Sequence, residues 1–109
     1  MSTPKVSILV PVYNVERFLP QCLDALCGQT LRDIEIVCIN DGATDGSPAI
    51  LHEYAARDAR IRVIDKQNTG YGNSLNLGIS QACGEYIGII EPDDFPDKRM
   101  FKKLLKVAE

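Results

Sequence analysis

Hydrophobic positions along the chain form two alternating patterns, short continuous runs and runs with apolar residues three or four positions apart. The continuous runs are 6–10, 34–39, 61–64 and 86–90, and they are rich in β-branched residues. Runs of this length and composition are typical of strands that are buried on both faces of a parallel sheet. The sequence therefore predicts four strands.

Helical spacing follows each of the first two runs. The first helix is predicted after Asn14, which we expect to cap it, and to end near Gly28. Its apolar positions recur at i, i+3, i+4 and i+7: Leu19, Cys22, Leu23 and Leu26. The second is predicted to have Ser47 as its N-cap and Pro48 in the first helical position. Its apolar face consists of Ile50, Leu51, Tyr54 and Ala55.

Two further helices follow the third and fourth runs. The inner face of the third is predicted to consist of Leu75, Ile79 and Ala82, with Gly84 in the C′ position beyond its end. Pro96 is expected to open the fourth helix. Its apolar side carries Phe101, Leu104, Leu105 and Ala108.

This alternation predicts an α/β fold, a mainly parallel sheet with helices on both faces and right-handed crossovers. A length of 109 residues fits one domain. The loops that leave the carboxyl ends of the strands then meet at one edge of the sheet, where open α/β folds bind ligands.

Acidic and polar residues are concentrated in those loops. They are Tyr13, Asn14, Asn40, Asp41, Thr44, Asp45, the 68–72 loop, Glu91, Asp93 and Asp94. Carboxylates that converge repel each other and raise each other's pKa unless a cation neutralises them. Oxygen ligands favour Mg²⁺ or Mn²⁺, whose open positions phosphate oxygens can fill. The edge therefore predicts a divalent metal and a nucleoside diphosphate.

Each of these residues also has a simpler interpretation. Asp41 and Asp45 lie in Asn-Asp-Gly and Thr-Asp-Gly sequences, which are ordinary turn formers. Asp94 is equally suited to cap the last helix, and Tyr13 to pack as a core aromatic. Neither GxGxxG nor GxxxxGK[ST] is present, so dinucleotide and P-loop binding have no support. It is the joint arrival of these residues at strand ends that favours a ligand site.

Charge and cysteine usage exclude other classes. The net charge is −3 and the lysines and arginines are scattered along the sequence, so we predict no nucleic-acid partner. The four cysteines match no zinc or disulfide pattern, which favours small core residues in a reducing compartment. The apolar runs are too short to span a bilayer, and residues 1–5 do not resemble a signal peptide. These features predict a cytoplasmic protein.

The chain resembles the amino-terminal half of the inverting family 2 glycosyltransferases, which have the GT-A fold. The residues that carry the resemblance are 6–14, 39–42 with 44–47, 68–70 with Asn76 and Gly78, and 84–87 leading to Asp93 and Asp94. Two positions depart from the usual pattern, Glu91 where aspartate is common and Leu75 where an arginine is common. We expect Leu75 to turn inward and pack.

The resemblance implies a role for each matched residue. Pro11, Val12, Tyr13 and Asn14 would bind the donor nucleotide, with the first three lining the nucleobase pocket. Asp41 would bond to the base or ribose, and Asp93 would lie by the ribose. Asp94, with Asp93, would bind Mg²⁺ or Mn²⁺. Further donor-site candidates are Asn68, Gly70 and Glu91.

The resemblance also defines domains and partners. Residues 5–109 would form the nucleotide-sugar-binding part of a longer, here truncated, catalytic domain, and 1–4 a short tail. The donor would be a nucleotide-diphospho-sugar, with a UDP-sugar favoured. The missing part would bind a saccharide or lipid-linked acceptor and supply the catalytic base, which no residue here can provide.

The full-length protein would transfer a hexosyl group in polysaccharide or glycolipid synthesis, in the cytoplasm and in association with the membrane. A homodimer that buries the sheet edge is also expected. The competing hypothesis is a non-catalytic nucleotide-binding or interaction module with the same fold. A nucleotidyltransferase is less favoured because 11–14 lack the glycine- and arginine-rich loop, and a receiver domain because no paired acids follow the first strand.

Overall fold

A computed structural model describes residues 3–108 of the chain, so Met1 and Ser2 of the predicted tail lie outside the described residues. All eight predicted elements are present in the predicted order. They are β1 (Val6–Val12), α1 (Leu19–Cys27), β2 (Ile34–Asp41), α2 (Ser47–Arg57), β3 (Ile61–Lys66), α3 (Tyr71–Gln81), β4 (Tyr86–Ile89) and α4 (Met100–Ala108).

The four strands form one parallel sheet in the order β3-β2-β1-β4. β1 pairs with β2 along its whole length and with β4 on its other side, so β1 and β2 occupy the centre. Every residue of β1 and β2 is buried. The predicted α/β class and parallel sheet are confirmed, and the continuous apolar runs are explained by cover on both faces.

Alternate strand residues point to two separate cores. On one face Ile8, Val10, Ile36 and Cys38 pack with α1, α2 and Phe101 of α4. On the opposite face Leu9, Val37 and Ile39 pack with Leu77 of α3. Complete burial of each such side chain contributes about 1.5–3 kcal/mol. The central strands are therefore fixed, together with the loops at their carboxyl ends.

The predicted start of the first helix was wrong. α1 begins at Leu19 rather than after Asn14, and Phe18 occupies its N-cap position. Asn14 has a φ of 52°, in the left-handed region, and its side-chain oxygen bonds another loop instead of a helix end. Pro20 lies in the first turn, where proline is tolerated.

The last helix also begins later than predicted, at Met100 rather than Pro96. The buried side chain of Gln29 accounts for this start. Its amide donates to the Asp97 carbonyl at 2.8 Å, and its oxygen accepts from the Phe101 amide at 3.2 Å. Gln29 therefore holds the segment before α4 in a non-helical path and caps the helix from outside.

The inner face of α3 differs from the prediction. Ser74 and Gly78 are buried, whereas Ile79 is 48% exposed. Gly78 lies so close to β2 that an added Cβ would be 2.9 Å from Ile39 Cδ1. The small residues Ser74 and Gly78 let α3 approach the sheet closely. Large apolar residues such as Ile79 lie to the side of this contact and are partly exposed. Leu75, expected to turn inward, is only partly buried.

Gly84 is not the C′ residue of α3, because Ala82 is the C-cap. It lies against β1, and its amide donates to Ser7 Oγ at 2.7 Å. The Ser7 hydroxyl in turn donates to buried Glu35, which also accepts from Arg62 at 2.8 Å. Desolvation opposes the charge on Glu35, but these hydrogen bonds and that of the Cys83 amide lower its pKa. The cluster fixes the amino-terminal edge of the sheet.

Candidate functional site

A cavity of about 420 Å³ opens at the carboxyl edge of the sheet. Its volume lies within the range of small-molecule sites in proteins. Eight of the sequence-predicted residues line it: Pro11, Val12, Tyr13, Asp41, Asn68, Gly70, Glu91 and Asp93. The end of β1, the loop after β3 and the segment after β4 therefore meet as the topology predicts.

The apolar wall of the cavity is larger than the sequence indicated. Pro11 and Val12 are buried at the end of β1, and Tyr13 exposes its ring beside them. Val15, Phe18 and Pro92 also line the cavity, although no motif identified them. Flat apolar and aromatic surfaces of this kind suit a planar heterocycle.

Asp41 is the buried acid of the site. Its Oδ1 accepts from Lys66 Nζ at 2.5 Å and from the Thr69 amide at 2.8 Å. Its Oδ2 accepts from the Gly70 amide at 3.1 Å. Oδ2 has that single donor among residues 3–108, so it can accept one more hydrogen bond from a ligand.

These contacts also fix the charge of Asp41. Desolvation would raise its pKa, but the hydrogen bonds from Lys66, Thr69 and Gly70 outweigh it and lower the pKa. Asp41 is therefore an anion at neutral pH and acts as a hydrogen-bond acceptor only. Its turn-forming interpretation is incomplete, because it pins the loop after β3 to the end of β2.

Ser74 is a site residue that the sequence analysis missed. It lies on α3, lines the cavity and is fully buried. Its hydroxyl has no hydrogen-bond partner among the described residues. A buried polar group without a partner is unfavourable unless a ligand or water satisfies it. Serine at a core-facing helix position is the signal that could have identified it.

Tyr71 was also missed. It stands at the first turn of α3, and its hydroxyl donates to Glu91 Oε1 across the cavity. The hydrogen bond to Glu91 is the main cause of the raised pKa of Tyr71. The extra methylene of Glu91, relative to the aspartate usual there, extends its carboxylate towards this phenol.

Asn14 does not line the cavity, although it was predicted to bind the donor. Its Oδ1 accepts from the Thr44 amide at 2.8 Å and the Asp45 amide at 3.3 Å. Asp45 in turn accepts at 2.9 Å from the amide of Ser47, which is the first residue of α2 and not its N-cap as predicted, since Gly46 occupies that position. Asn14 therefore ties the loop after β1 to the loop after β2 and supports the site from outside.

The two predicted metal ligands line different surfaces. Asp93 borders the cavity, whereas Asp94 borders a shallow depression with Phe95 and Pro96. Both side chains are exposed, and neither accepts a hydrogen bond from the rest of 3–108. Burial, followed by the negative charges of Asp94 and Asp93, raises the pKa of the Cys22 thiol on α1 to about 12.

The donor set fits a hard divalent ion only in part. Carboxylate oxygens without other partners are suitable ligands for Mg²⁺ or Mn²⁺. Within residues 3–108, however, no group of three ligating side chains forms a ready-made centre. An ion here would take one or two protein carboxylates and would need further oxygens from a bound ligand.

Comparison with known proteins identifies the family of the chain. The model of the family described as "Glycosyl transferase family 2" matches residues 7–109. The chain belongs to glycosyl transferase family 2. The resemblance noted in the sequence is thereby confirmed.

Individual relatives agree with this family assignment. The uncharacterized glycosyltransferase EpsJ of Bacillus subtilis (strain 168) is 51% identical over 106 residues, covering 97% of this chain and 31% of that protein. S. aureus TarS 1-349 in complex with UDP superposes with a TM-score of 0.85 at 27% identity, over 94% of this chain and 31% of that one. The complex of TarS 1-349 with UDP-GlcNAc superposes with a TM-score of 0.82 at 29% sequence identity. The match covers 95% of this chain and 30% of that one.

The family 2 chain spans about a third of the length of EpsJ and of TarS 1-349. EpsJ is named as a glycosyltransferase, and the solved structures that this chain resembles have the GT-A fold that the sequence predicted. No helix within residues 3–108 is long and apolar enough to cross a membrane.

Proposed function

We propose that this chain is the donor-binding part of an inverting glycosyltransferase that transfers a hexosyl group from a nucleotide-diphospho-sugar to an acceptor hydroxyl. The observation that carries the proposal is the cavity at the carboxyl edge, where an apolar wall faces the acceptor oxygen of Asp41 and the unpartnered hydroxyl of Ser74. The structural relative TarS has been solved in complex with UDP and with UDP-GlcNAc, which supports a UDP-sugar as the donor.

A uracil ring fits this combination of groups chemically. Its flat faces would lie along Pro11, Val12 and Tyr13, and Asp41 would accept from its ring N–H. The Ser74 hydroxyl would donate to one of its carbonyl oxygens. Cytosine has no ring N–H at the equivalent position, so an anionic acceptor at Asp41 would select against it.

The ribose and the outer donor groups would lie further along the same edge. Asp93 would accept from a ribose hydroxyl, and Asn68 and Gly70 would contact the donor from the loop after β3. Glu91 would hold Tyr71 at the mouth of the cavity, as it does in this structure.

Mg²⁺ or Mn²⁺ is part of the proposal. Asp94 would hold the ion, with Asp93 beside it, and the diphosphate would supply further oxygens. When bound, such an ion neutralises the charge that grows on the departing nucleotide. Without the ion, the negative charges of Asp93 and Asp94 would repel the diphosphate, so nucleotide binding should depend on the metal.

We infer that the rest of the protein supplies the acceptor site and the catalytic base. No residue of this chain is proposed to deprotonate the acceptor, so the chain alone would bind donor without transferring sugar. The acceptor would be a saccharide or a lipid-linked saccharide in cell-surface polysaccharide or glycolipid synthesis, on the cytoplasmic side of a membrane.

A homodimer is proposed for the chain on its own. β4 lies at an edge of the sheet, and Ile87 and Ile89 on its α3 side are 45% and 46% exposed. An exposed apolar edge strand is a ready template for pairing with another chain. Analytical ultracentrifugation tests this, with a monomer at all concentrations as the contrary result.

Calorimetric titration of the chain tests donor binding. UDP should bind in the presence of Mn²⁺ and much more weakly in the presence of EDTA, and CDP should bind worse than UDP. Asp94→Asn should remove most of the metal dependence. Asp33→Asn is the matched control, since Asp33 is an exposed carboxylate at the opposite edge of the sheet.

Two outcomes would overturn the proposal. Absence of any UDP binding, with or without metal, would favour the non-catalytic interaction module. Sugar transfer by the chain alone would show that the base lies within it. Titration with GDP separates these two outcomes from the case in which the donor carries a different base. GDP also has a ring N–H, so it would then bind better than UDP.

A further inference from the structure

The cations of the last helix are gathered on one face. Arg99, which directly precedes α4, and Lys102, Lys103 and Lys106 within it follow the i, i+3, i+4, i+7 spacing of an α-helix, and all four are exposed. Together with Thr30 they border a hollow of about 380 Å³. We call these four residues the basic face of α4. In the linear sequence they appeared scattered, and the helix brings them together.

The side chains of the basic face have no ion-pair partner in the part of the chain that the structure describes. Most other cations are paired, as Lys66 is with Asp41 and Arg60 with Asp58. The segment 98–106 carries five of the twelve lysines and arginines and no aspartate or glutamate. A positive surface therefore exists on a chain whose net charge is −3.

An apolar flank borders the basic face. Val107 is 86% exposed and lies one turn beyond Lys103, and Leu104 beside it is 53% exposed. Neither side chain belongs to the buried core clusters, so Leu104, predicted on the apolar side of this helix, is about half exposed instead. The combination of unpaired cations and exposed aliphatic side chains on one helix is typical of helices that lie at a membrane surface.

We propose that the basic face and its apolar flank dock on a membrane surface that contains anionic phospholipid. A lipid surface satisfies both features, since headgroup phosphates attract the cations and the acyl boundary accepts Leu104 and Val107. RNA would satisfy only the first. Single-stranded RNA binding gains from stacking on aromatic side chains, and the aromatic residue of α4, Phe101, is 3% exposed.

Two contacts fix the position of α4 on the rest of the fold. Phe101 is buried in the core, with its ring 2.8 Å from where a Cβ on Gly88 would be, and Gln29 fixes the first turn. The cations therefore project with a preset spacing and lose little backbone freedom on docking. The proposal does not depend on donor binding, because the basic face lies outside the cavity.

Vesicle sedimentation of the 109-residue chain tests the proposal. The chain should sediment with phosphatidylcholine vesicles that contain phosphatidylglycerol and not with phosphatidylcholine alone. Lys102→Gln with Lys103→Gln should lower the partition coefficient by about fivefold for each cation removed. Arg32→Gln with Arg57→Gln is the matched control, because it makes the same change of charge at exposed positions outside α4.

A second variant separates lipid from other polyanions. Val107→Ser keeps the charge and the fold, and it should weaken vesicle binding while leaving binding to single-stranded RNA unchanged. Equal loss in test and control pairs would mean that only net charge matters and would overturn the proposal. So would RNA binding that is tighter than vesicle binding. UDP titration of the same variants should be unaffected, which separates this proposal from the proposed function.

Discussion

Asp41 and Lys66 are directly opposite one another in the register of β2 and β3, and Lys66 Nζ lies 2.5 Å from Asp41 Oδ1. The side chains are only 8% and 16% exposed. Lys66 also donates to Thr69 Oγ1 at 2.5 Å. One ion pair thus joins two strand ends to the loop that borders the cavity.

Asp41→Asn should weaken both the fold and ligand binding. The amide cannot replace the carboxylate as acceptor for Lys66 and two backbone amides, so a partly buried ammonium loses its counter-charge. We expect a loss of about 1–3 kcal/mol in the free energy of unfolding. UDP affinity should fall at least about tenfold, equivalent to roughly 1.4 kcal/mol. Urea unfolding and calorimetry measure the two effects.

Glu53→Gln provides the control for that experiment. Its pair with Arg57 is an exposed i, i+4 contact at 3.6 Å, and such pairs contribute about 0.3–0.5 kcal/mol. Stability and affinity should both stay near those of the parent chain. Equal effects from the two variants would show that the Asp41 ion pair has no special role.

Acid should destabilise the chain. The pKa values of Asp41 and Asp58 are both lowered in the fold, that of Asp58 chiefly by its hydrogen bond from Arg60. Because the folded values lie below the unfolded value of about 3.9, this stability is complete above that pH and is lost as the pH falls through the folded values. Urea midpoints should be flat from pH 6 to 8 and decline below about pH 4. A midpoint that rises in acid would contradict this.

Ser74→Ala should reduce nucleotide affinity without reducing stability. The buried hydroxyl has no partner among the described residues, so its removal costs the folded chain nothing and should keep or raise the melting temperature. Loss of one hydrogen bond to the ligand should cost about 0.5–1.5 kcal/mol of binding. Ser80→Ala, at an exposed position on the same helix, is the control. Lower stability with unchanged affinity would assign Ser74 a purely structural role.

Gly84→Ala and Gly72→Ala should have opposite signs. A Cβ at Gly84 would be 2.5 Å from the Ser7 backbone nitrogen, and overpacking of this kind costs about 1–3 kcal/mol. A Cβ at Gly72 in α3 meets nothing within 4 Å, and alanine is favoured there by about 0.8–1.0 kcal/mol. Thermal unfolding distinguishes them. A stabilising Gly84→Ala would mean that β1 and this loop are less tightly apposed.

One thiol should react much faster than the other three. Cys83 is exposed, whereas Cys22 and Cys38 are buried and Cys27 is partly buried. Burial raises the pKa of Cys27 to about 11 and that of Cys22 to about 12, so little thiolate is available there. Timed reaction with a disulfide reagent, followed by peptide mapping, should label Cys83 first. Early labelling of Cys22 would indicate opening of the α1 face.

The strands were predictable because burial on both faces leaves a direct record in the sequence. Val6, Ile34, Ile61 and Tyr86 begin strands as predicted. The helix face of α3 was not predictable in this way, because close packing against Leu9 and Ile39 selects a glycine at position 78. Hydrophobicity marks large side chains, and it fails where the fold needs small ones.

The site was predictable to the extent that motifs follow strand ends. Pro11, Val12, Tyr13 and Asp41 line one cavity, while their roles in nucleotide binding stay predictions. Ser74 and Lys66 depend on helix orientation and strand register, which one sequence does not specify. Asp94 lines a different depression from Asp93. The amide of Asp94 donates to the Glu91 carbonyl at 2.9 Å, and the turn that this bond closes separates the two side chains.

Asn14 combines two demands that few amino acids can meet together. Its φ of 52° is tolerated by glycine, asparagine and aspartate, and its side-chain oxygen must also receive two backbone amides from the 44–45 loop. Glycine would meet the first demand and fail the second, while threonine would do the reverse. Only asparagine and aspartate should therefore be tolerated at this position. Most solvent-exposed positions accept a wider range of amino acids.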